Sequence, residues 1–398
     1  MNNKLAVAVA AVLASPLTAQ AQSANVSLYG RLNLDIELVG GRQAPSAGSV
    51  NPHVWRLSSN SSRLGVRGTE ALGGGLNAIF QIEQNVSADT GNSSSSGFAS
   101  RDTFVGLQGN WGTFKMGKFL TPMDDATAIF GNVPTFLTSI LWTSALWGQG
   151  TQSKGTGGFD DRLGNSLRYD SPVLNGLTFS GQLSLRDSSG FADIAPPAGS
   201  NGEHTAELRH AYVFGAAAFY NNGPLQVGTA YERNVKVRGP TLSDYDWTIT
   251  GAYNFGVIRP ALVYERIKYD TPTGDLKRNL WGISGTAPIG PGVLYAFYGD
   301  ASNGKGSAAT GERVGGLTKG SDTGSKQWEL SYTYPLSKRT YVYAGYVKLN
   351  NDRNAAYTFG ANSYTVNTTC TGNGNAADVA CGANGKPDGW VFGMIHLF

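Results

Sequence analysis

Regular alternation of apolar and polar residues constrains this chain more than any other feature. From Val26 to Leu38, even positions carry apolar residues or glycine, and odd positions carry polar residues, charged residues or tyrosine. A β-strand sends successive side chains to opposite faces, so this segment has one oily face and one charged face. Residues 76–85 repeat the pattern with Ile79 as the exception, and noisier versions continue to the end of the chain.

The alternating segments can be counted, and their connections differ in length. We count sixteen candidate strands, joined alternately by short turns rich in glycine, proline and asparagine and by long polar segments. The long segments are 87–100, 119–161, 188–204, 302–324 and 351–386. Short turns at one rim and long loops at the other are typical of outer-membrane barrels, and barrels of 16–18 strands enclose an aqueous channel. The sequence therefore predicts an all-β fold, a 16-stranded antiparallel transmembrane β-barrel.

The composition excludes the main alternatives. After residue 14, no apolar run approaches the roughly 18 residues that a spanning helix needs. The 8 Trp, 18 Tyr and 17 Phe argue against a disordered chain. Aromatic residues also recur near the predicted strand ends, which indicates girdles at the two membrane interfaces. These residues are Tyr29, Trp111, Tyr169, Phe179, Tyr220, Trp247, Trp281, Trp328 and Trp390.

The N-terminus indicates export. Residues 1–21 combine a basic start, a short apolar run and an Ala-Gln-Ala cleavage pattern, so we expect a cleaved signal peptide and a barrel spanning residues 22–398. Cys370 and Cys381 lie in the last long loop, about 351–386, and would meet an oxidising compartment. We expect them to form a disulfide. A metal site is the other interpretation, although no second cysteine pair or nearby histidine completes a ligand set.

Several segments resemble the Gram-negative general diffusion porins, particularly the neisserial and burkholderial type. Val26–Leu32 is similar to that family's first strand, and Ser62–Leu76 to its second strand and following turn. The resemblance implies a homotrimer of sixteen-stranded barrels in the outer membrane, each with a long third loop folded into the pore. That loop would be about 119–161.

The C-terminus adds to the resemblance. Phe392, Met394, His396 and Phe398 share one strand face and end on an aromatic residue, which is similar to the assembly signal of outer-membrane barrels. On the other face, Ile395 and Leu397 are apolar where the family often has polar residues.

The candidate site is a constriction of the pore. Asp124 and Asp125 lie on the predicted constriction loop. Opposite this loop, strand parity turns one acidic and five basic residues toward the lumen: Glu83, Arg31, Arg63, Arg67, Lys115 and Arg168. Acids facing bases would create a transverse field that orders water. Polar solutes would pass this field, whereas an apolar solute would have to displace the ordered water.

We therefore expect passive diffusion of ions and small hydrophilic solutes, with no chemistry, no cofactor and no nucleic-acid partner. Gly112–Lys118 has the spacing of a phosphate-binding loop, but Phe119 follows where Ser or Thr must stand. The four histidines have no metal-binding spacing. Expected partners are the homotrimer and outer-membrane lipids, including lipopolysaccharide. A substrate-selective porin of the same fold and an adhesin barrel remain as alternatives.

Overall fold

The computed structural model describes residues 25–42, 53–93, 97–132, 139–148, 158–185, 211–239, 241–362 and 383–398. The expected signal peptide lies outside the described residues, as do Cys370 and Cys381.

Antiparallel strands account for most of the described chain. The second strand is made of two segments, which are separated by a kink at residues 60–62. The strands are β1 Asn25–Arg42, β2 Val54–Ser59 with Arg63–Gly73, β3 Leu76–Ser87, β4 Thr103–Gly109, β5 Gly112–Leu120, β6 Arg162–Asp170, β7 Leu177–Leu185, β8 Tyr212–Asn222, β9 Leu225–Val235, β10 Ser243–Tyr253, β11 Arg259–Thr271, β12 Gly274–Ile289, β13 Gly292–Ala301, β14 Ser325–Pro335, β15 Thr340–Asn351 and β16 Lys386–Leu397.

The sheet closes on itself. β1 pairs with β2 on one side and with β16 on the other, in a register that runs from Arg31 opposite Leu397 to Arg42 opposite Lys386. Each described strand therefore has two neighbours, and none of them forms an open edge of the sheet. The predicted sixteen-stranded barrel is confirmed.

The connections follow the predicted alternation. One rim carries both ends of the described chain and the short turns, such as Gly73–Gly75, where all three glycines have the positive φ that a tight turn requires. The other rim carries the long loops. Within these loops, Asn92–Ser93 pairs with Val86–Ser87 at the end of β3, and Arg313–Val314 pairs with Leu317–Thr318.

The two faces of the strands differ as the alternation predicts. Asn33 and Glu37 on β1 are fully buried inside the barrel, whereas Ile36 is 49% exposed on its outside. Most of the predicted girdle residues also face outward, among them Trp281 and Trp390. For Tyr29 the expectation is wrong. Its parity turns it inward, where its hydroxyl donates to Glu83.

The outward and inward residues of β16 have different surroundings. Phe392 and Met394 are each 52% exposed on the outer wall, and the Phe398 ring lies over Gly30 of β1. Ile395 faces inward and is buried in one apolar cluster with Tyr343. The lumen on this side is therefore filled by protein, so an apolar residue is favoured there.

Among the described residues, helical structure is confined to short turns inside the connection from β5 to β6. These are a 3-10 turn Asp124–Ala126, a single α-helical turn Thr127–Phe130, and a second 3-10 turn Thr143–Ala145. No helix among the described residues is long and apolar enough to cross a bilayer.

Candidate pore constriction

The connection between β5 and β6 spans residues 121–161, and its described parts, 121–132, 139–148 and 158–161, lie inside the barrel; we call this connection the lumen loop. Its described parts pack apolar side chains against the inner faces of the strands from β8 onward. The buried apolar residues that it contributes are Met123, Ile129, Phe130, Ile140, Leu141, Leu146 and Trp147. The predicted inward-folded loop is confirmed; the connection begins at residue 121 rather than 119, because β5 extends to Leu120.

Small inward side chains on the wall make room for the lumen loop. Alanines occupy the facing positions of β8, β9, β10 and β11, and all are buried in the same cluster: Ala217, Ala230, Ala252 and Ala261. Above them Phe130 and Trp147 meet edge to face at 5.6 Å. The Tyr295 hydroxyl donates to the Phe130 carbonyl oxygen at 2.8 Å, so the tight packing also satisfies backbone groups.

Polar contacts fix the same loop on the same side. Asn132 donates through Nδ2 to Glu329 Oε1 at 2.9 Å and to Ser331 Oγ at 2.6 Å. The backbone N–H of Gly148 donates to Glu265 Oε1 at 2.5 Å. The lumen loop supplies one donor to each of these buried carboxylates, and Ser331 and Arg278 of the wall supply the others. Loss of the loop donor would cost free energy, because buried acceptors need their donors. The open part of the lumen is therefore left beside β1–β6.

Glu83 is the centre of the first cluster on this open side. Its carboxylate accepts from Arg101 Nε at 2.5 Å, lies 3.6 Å from Arg63 Nε, and accepts from the Tyr29 hydroxyl at 3.0 Å. The guanidinium of Arg67 lies over the Tyr29 ring, 4.8 Å from its centre. The predicted residues Arg63, Arg67 and Glu83 are therefore neighbours.

Two basic residues of this wall have no acidic partner among the described residues. Arg31 is only 9% exposed, and its Nε and Nη2 atoms have no hydrogen-bond partner among the described residues. It stands directly opposite Arg63 in the pairing of β1 with β2. Arg67 is exposed and, within the same ranges, forms no ion pair. Both guanidinium groups therefore leave positive charge uncompensated at the wall.

A second cluster joins the wall to the lumen loop. Arg168 binds Asp125 of the loop at 2.5 Å and Asp170 of its own strand at 2.8 Å. It also donates to the Leu120 carbonyl oxygen at 3.0 Å. Lys115 lies 3.3 Å from Asp170. Of the two predicted loop acids, Asp125 is thus the one in contact with the basic wall.

Asp124 turns instead toward the base of the lumen loop, where it hydrogen-bonds Asp160. Burial, reinforced by the charge of Asp125, raises the pKa of Asp124 to about 6. Burial and the neighbouring Asp124 raise the pKa of Asp160 well above its usual range. Both carboxyl groups are therefore harder to ionise than free aspartates, so the pair presents less than its formal charge at mildly acidic pH.

Several charged residues at this opening were not identified from the sequence. Arg101 and Asp102 precede β4, and Arg162 begins β6 and donates to Asp102. The run from Asp160 to Arg162 could have indicated such a residue, because it places opposite charges at the end of the predicted loop. Strand parity could also have identified the buried acids of the wall, namely Asp35, Glu232, Asp246, Glu265 and Glu329. In the part of the chain that the structure describes, no group of histidine, cysteine and acidic residues could hold a metal ion.

Comparison with known proteins fits this geometry. Residues 6–354 match the family model described as Gram-negative porin. Outer membrane porin protein 32 of Delftia acidovorans is 30% identical over 353 residues, covering 86% of this chain and 88% of that protein. An outer membrane porin protein of Bordetella pertussis is 28% identical over 384 residues, covering 85% of this chain and 93% of that protein.

Solved structures show the same architecture. The anion-selective porin from Comamonas acidovorans superposes with a TM-score of 0.67 at 23% identity, over 94% of this chain and 100% of that one. OmpF of Salmonella typhi superposes with a TM-score of 0.58 at 15% identity, over 94% and 97%. The chain belongs to the Gram-negative porin family and is an outer-membrane barrel that forms a channel for diffusion.

Proposed function

We propose that this channel lets ions and small hydrophilic solutes diffuse without a binding step, and that it passes small anions more readily than cations. The proposal rests on which charged residues at the opening are paired and which are not. Four carboxylates beside the opening lie in ion pairs; these are Glu83, Asp102, Asp125 and Asp170. Arg31 and Arg67 have no such partner within the described ranges. Charge at the waist, rather than total charge, sets which ion permeates.

The transverse field gives the waist its preference for polar solutes. Arg31, Arg63 and Arg67 stand on the wall, and Asp125 stands on the facing lumen loop. Water between them is oriented by the field, and a polar solute can replace it with its own dipole. An apolar solute loses that interaction and meets a higher barrier. The proposed function contains no chemical step and needs no cofactor.

The burial of the inward aromatic residues favours general diffusion over a substrate-selective pathway. A selective channel would need a track of exposed rings on which a solute could stack. Among the described residues, Tyr269, Tyr295, Phe297 and Tyr343 face inward and are buried, Phe219 and Tyr341 are partly buried against the same apolar cluster, and the ring of the half-buried Phe104 is covered by the Lys115 ammonium. Tyr29 is covered by Arg67. A passing solute therefore finds charged groups and water at this waist.

Current measurements on the refolded protein test the proposal. In a planar bilayer of neutral lipid under a KCl gradient, we expect a zero-current potential of the sign produced by faster chloride movement. In liposome swelling, rates should fall smoothly with the size of uncharged sugars. A potential of the opposite sign would contradict the anion preference. Saturating uptake of one sugar would instead support the substrate-selective alternative.

We also infer a homotrimer, in contact with outer-membrane lipids that include lipopolysaccharide. Trp55 is the one Trp or Tyr that faces outward on the described residues of β1–β5. On β9–β16, by contrast, such residues recur on the outer wall, among them Trp247, Trp281, Trp328 and Trp390. Aromatic girdles mark contact with lipid, so the wall without one is the proposed contact between barrels.

Introducing a charge on that wall tests the trimer. Leu64→Arg on β2 should abolish the slowly migrating, heat-resistant species in detergent gels. Leu330→Arg on β14, where the wild-type leucine is comparably exposed, should leave that species intact. Identical behaviour of the two variants would remove the support for this interface.

A further inference from the structure

Tyr29 and Gly65 form a small platform on the inner wall beside the opening. The two residues stand directly opposite each other in the pairing of β1 with β2. A Cβ added to Gly65 would lie 2.4 Å from Cζ and 2.7 Å from Cε1 of Tyr29, so the ring rests on the glycine backbone. An aromatic ring that covers a glycine of the next strand is a recognised cross-strand contact. We call the pair the Tyr–Gly platform.

Two arginines flank the Tyr–Gly platform on β2. Arg63 and Arg67 each lie two residues from Gly65, so they share its inward face. The hydroxyl of Tyr29 donates to Glu83 at 3.0 Å, and the guanidinium of Arg67 lies 4.8 Å from the centre of the same ring. The ring therefore meets the carboxylate with its hydroxyl edge and the cation with its face, which are the partners that each side of a tyrosine attracts.

The ring separates Arg67 from Glu83. Arg67 is paired with Gln81 across β2 and β3, and Glu83 lies two residues further along β3 on the same face. Such diagonal neighbours are about 7–8 Å apart, a distance that long side chains can bridge. Arg67 is nevertheless exposed and forms no ion pair with a described residue, because the Tyr29 ring occupies the space between the two groups.

Glu83 would accept Arg67 if the ring were absent. Its carboxylate already accepts from Arg101 and from the Tyr29 hydroxyl. A carboxylate offers about four lone-pair sites, and loss of the tyrosine would leave one of them open to a new donor. A guanidinium drawn to this carboxylate would move toward the wall and away from the permeating ions.

We propose that Tyr29 is a positioning residue for ion selectivity. Its ring holds the guanidinium of Arg67 toward the open lumen and prevents it from pairing with Glu83. Gly65 belongs to the same arrangement, because a side chain there would displace the ring. The inference deepens the proposed anion preference and rests on it, since Arg67 supplies part of the uncompensated positive charge at the waist. It gives two uncharged residues a role in selecting ions.

The expected effect is modest because the charge of Arg67 moves but is not removed. Retreat of a guanidinium by about 3 Å from an ion about 6 Å away halves their interaction at about 0.1 M salt. The change has opposite signs for chloride and potassium. Loss of the ring should therefore lower the chloride-to-potassium permeability ratio about twofold.

Zero-current potentials of the refolded channel in a KCl gradient test this role. Tyr29→Leu removes the ring, Gly65→Ala displaces it, and Tyr29→Phe removes only the hydroxyl. Tyr346→Leu is the matched control, because this tyrosine also donates to a carboxylate at 3.0 Å, that of Asp388, but on the outer wall. Tyr29→Leu is also combined with Glu83→Gln, which removes the carboxylate that a displaced guanidinium would reach.

We expect Tyr29→Leu and Gly65→Ala to lower the permeability ratio about twofold, and Tyr29→Phe and Tyr346→Leu to leave it unchanged. In the Glu83→Gln background, Tyr29→Leu should cause no further change, whereas a purely structural role would act in both backgrounds. If Tyr29→Leu does not fold, Gly65→Ala gives the same test.

Three results would overturn the positioning role. These are an unchanged ratio in the variants that lose or displace the ring, an equal shift of Tyr29→Leu in the Glu83→Gln background, and a shift in Tyr29→Phe as large as that in Tyr29→Leu. A wild-type channel that prefers cations would contradict the proposed anion preference alone. A further shift toward cations in Tyr29→Leu would then still support the positioning role, because the test compares variants with the wild type.

Discussion

Neutralising Arg63 and Arg67 together should move the channel's selectivity toward cations. Both residues stand on β2, on the wall that faces the opening, and Arg67 has no carboxylate partner in the described structure. Arg63 is partly compensated by Glu83 at 3.6 Å. Replacement of both by glutamine preserves side-chain bulk and hydrogen-bonding capacity while removing the charge.

The size of the effect follows from Coulomb's law with screening. A permeating ion about 6 Å from a guanidinium interacts by roughly 0.7 kcal/mol in water, or about 0.4 kcal/mol after screening at about 0.1 M salt. Counting Arg67 fully and Arg63 by half gives about 0.6 kcal/mol. The term has opposite signs for chloride and potassium, so their permeability ratio should change by about 1.2 kcal/mol, or roughly sevenfold.

The assay is the zero-current potential in a KCl gradient, repeated at rising ionic strength. The difference between the wild type and Arg63→Gln/Arg67→Gln should shrink as salt increases, because screening shortens the range of the charges. Lys338→Gln with Arg339→Gln at the turn rim serves as the control for net charge. An unchanged potential in the arginine variant at low salt, with normal conductance, would refute the assignment of this wall to the waist.

Three further predictions concern the lumen loop and assembly. The pKa values of Asp124 and Asp160 are raised, so docking of the lumen loop should weaken by about 1–3 kcal/mol as pH rises through about 6. Channel closures should then become more frequent. Asp160→Asn should flatten this pH dependence, and a pH profile identical to that of the wild type would contradict the prediction. Asn132→Ala removes the amide that donates to Glu329 and Ser331 and leaves Glu329 with only the Ser331 hydroxyl, so it should raise the closure frequency at an expected cost of about 1–3 kcal/mol, and unchanged single-channel traces would contradict that role. Phe398→Ala removes the ring that covers Gly30, so refolding into bilayers should slow while the final conductance stays the same; an unchanged refolding rate would exclude the assembly role.

Much of the constriction could be predicted because strand parity is a local property. Arg63, Arg67 and Glu83 occupy inward positions of alternating segments, and the structure places them together. The partners of Asp124 and Asp125 could not be predicted in this way. These residues are neighbours in the chain, yet one meets Asp160 and the other meets Arg168. A 3-10 turn sends adjacent side chains in different directions, and no sequence pattern fixes its orientation inside a barrel.

Closure of the chain into a wide barrel follows from the residue pattern alone. A two-residue period gives every strand one oily face and one polar face, and backbone groups in hydrocarbon must all be paired. Which part of the lumen stays open depends instead on long-range packing. The lumen loop contacts strands far away in the chain, such as β10 and β14, and those contacts require shape complementarity between distant residues. The packing buries the acids of one wall and leaves Arg31 and Arg67 of the other without an acidic partner in the described structure, because burial and pairing arise from contacts that no local pattern encodes.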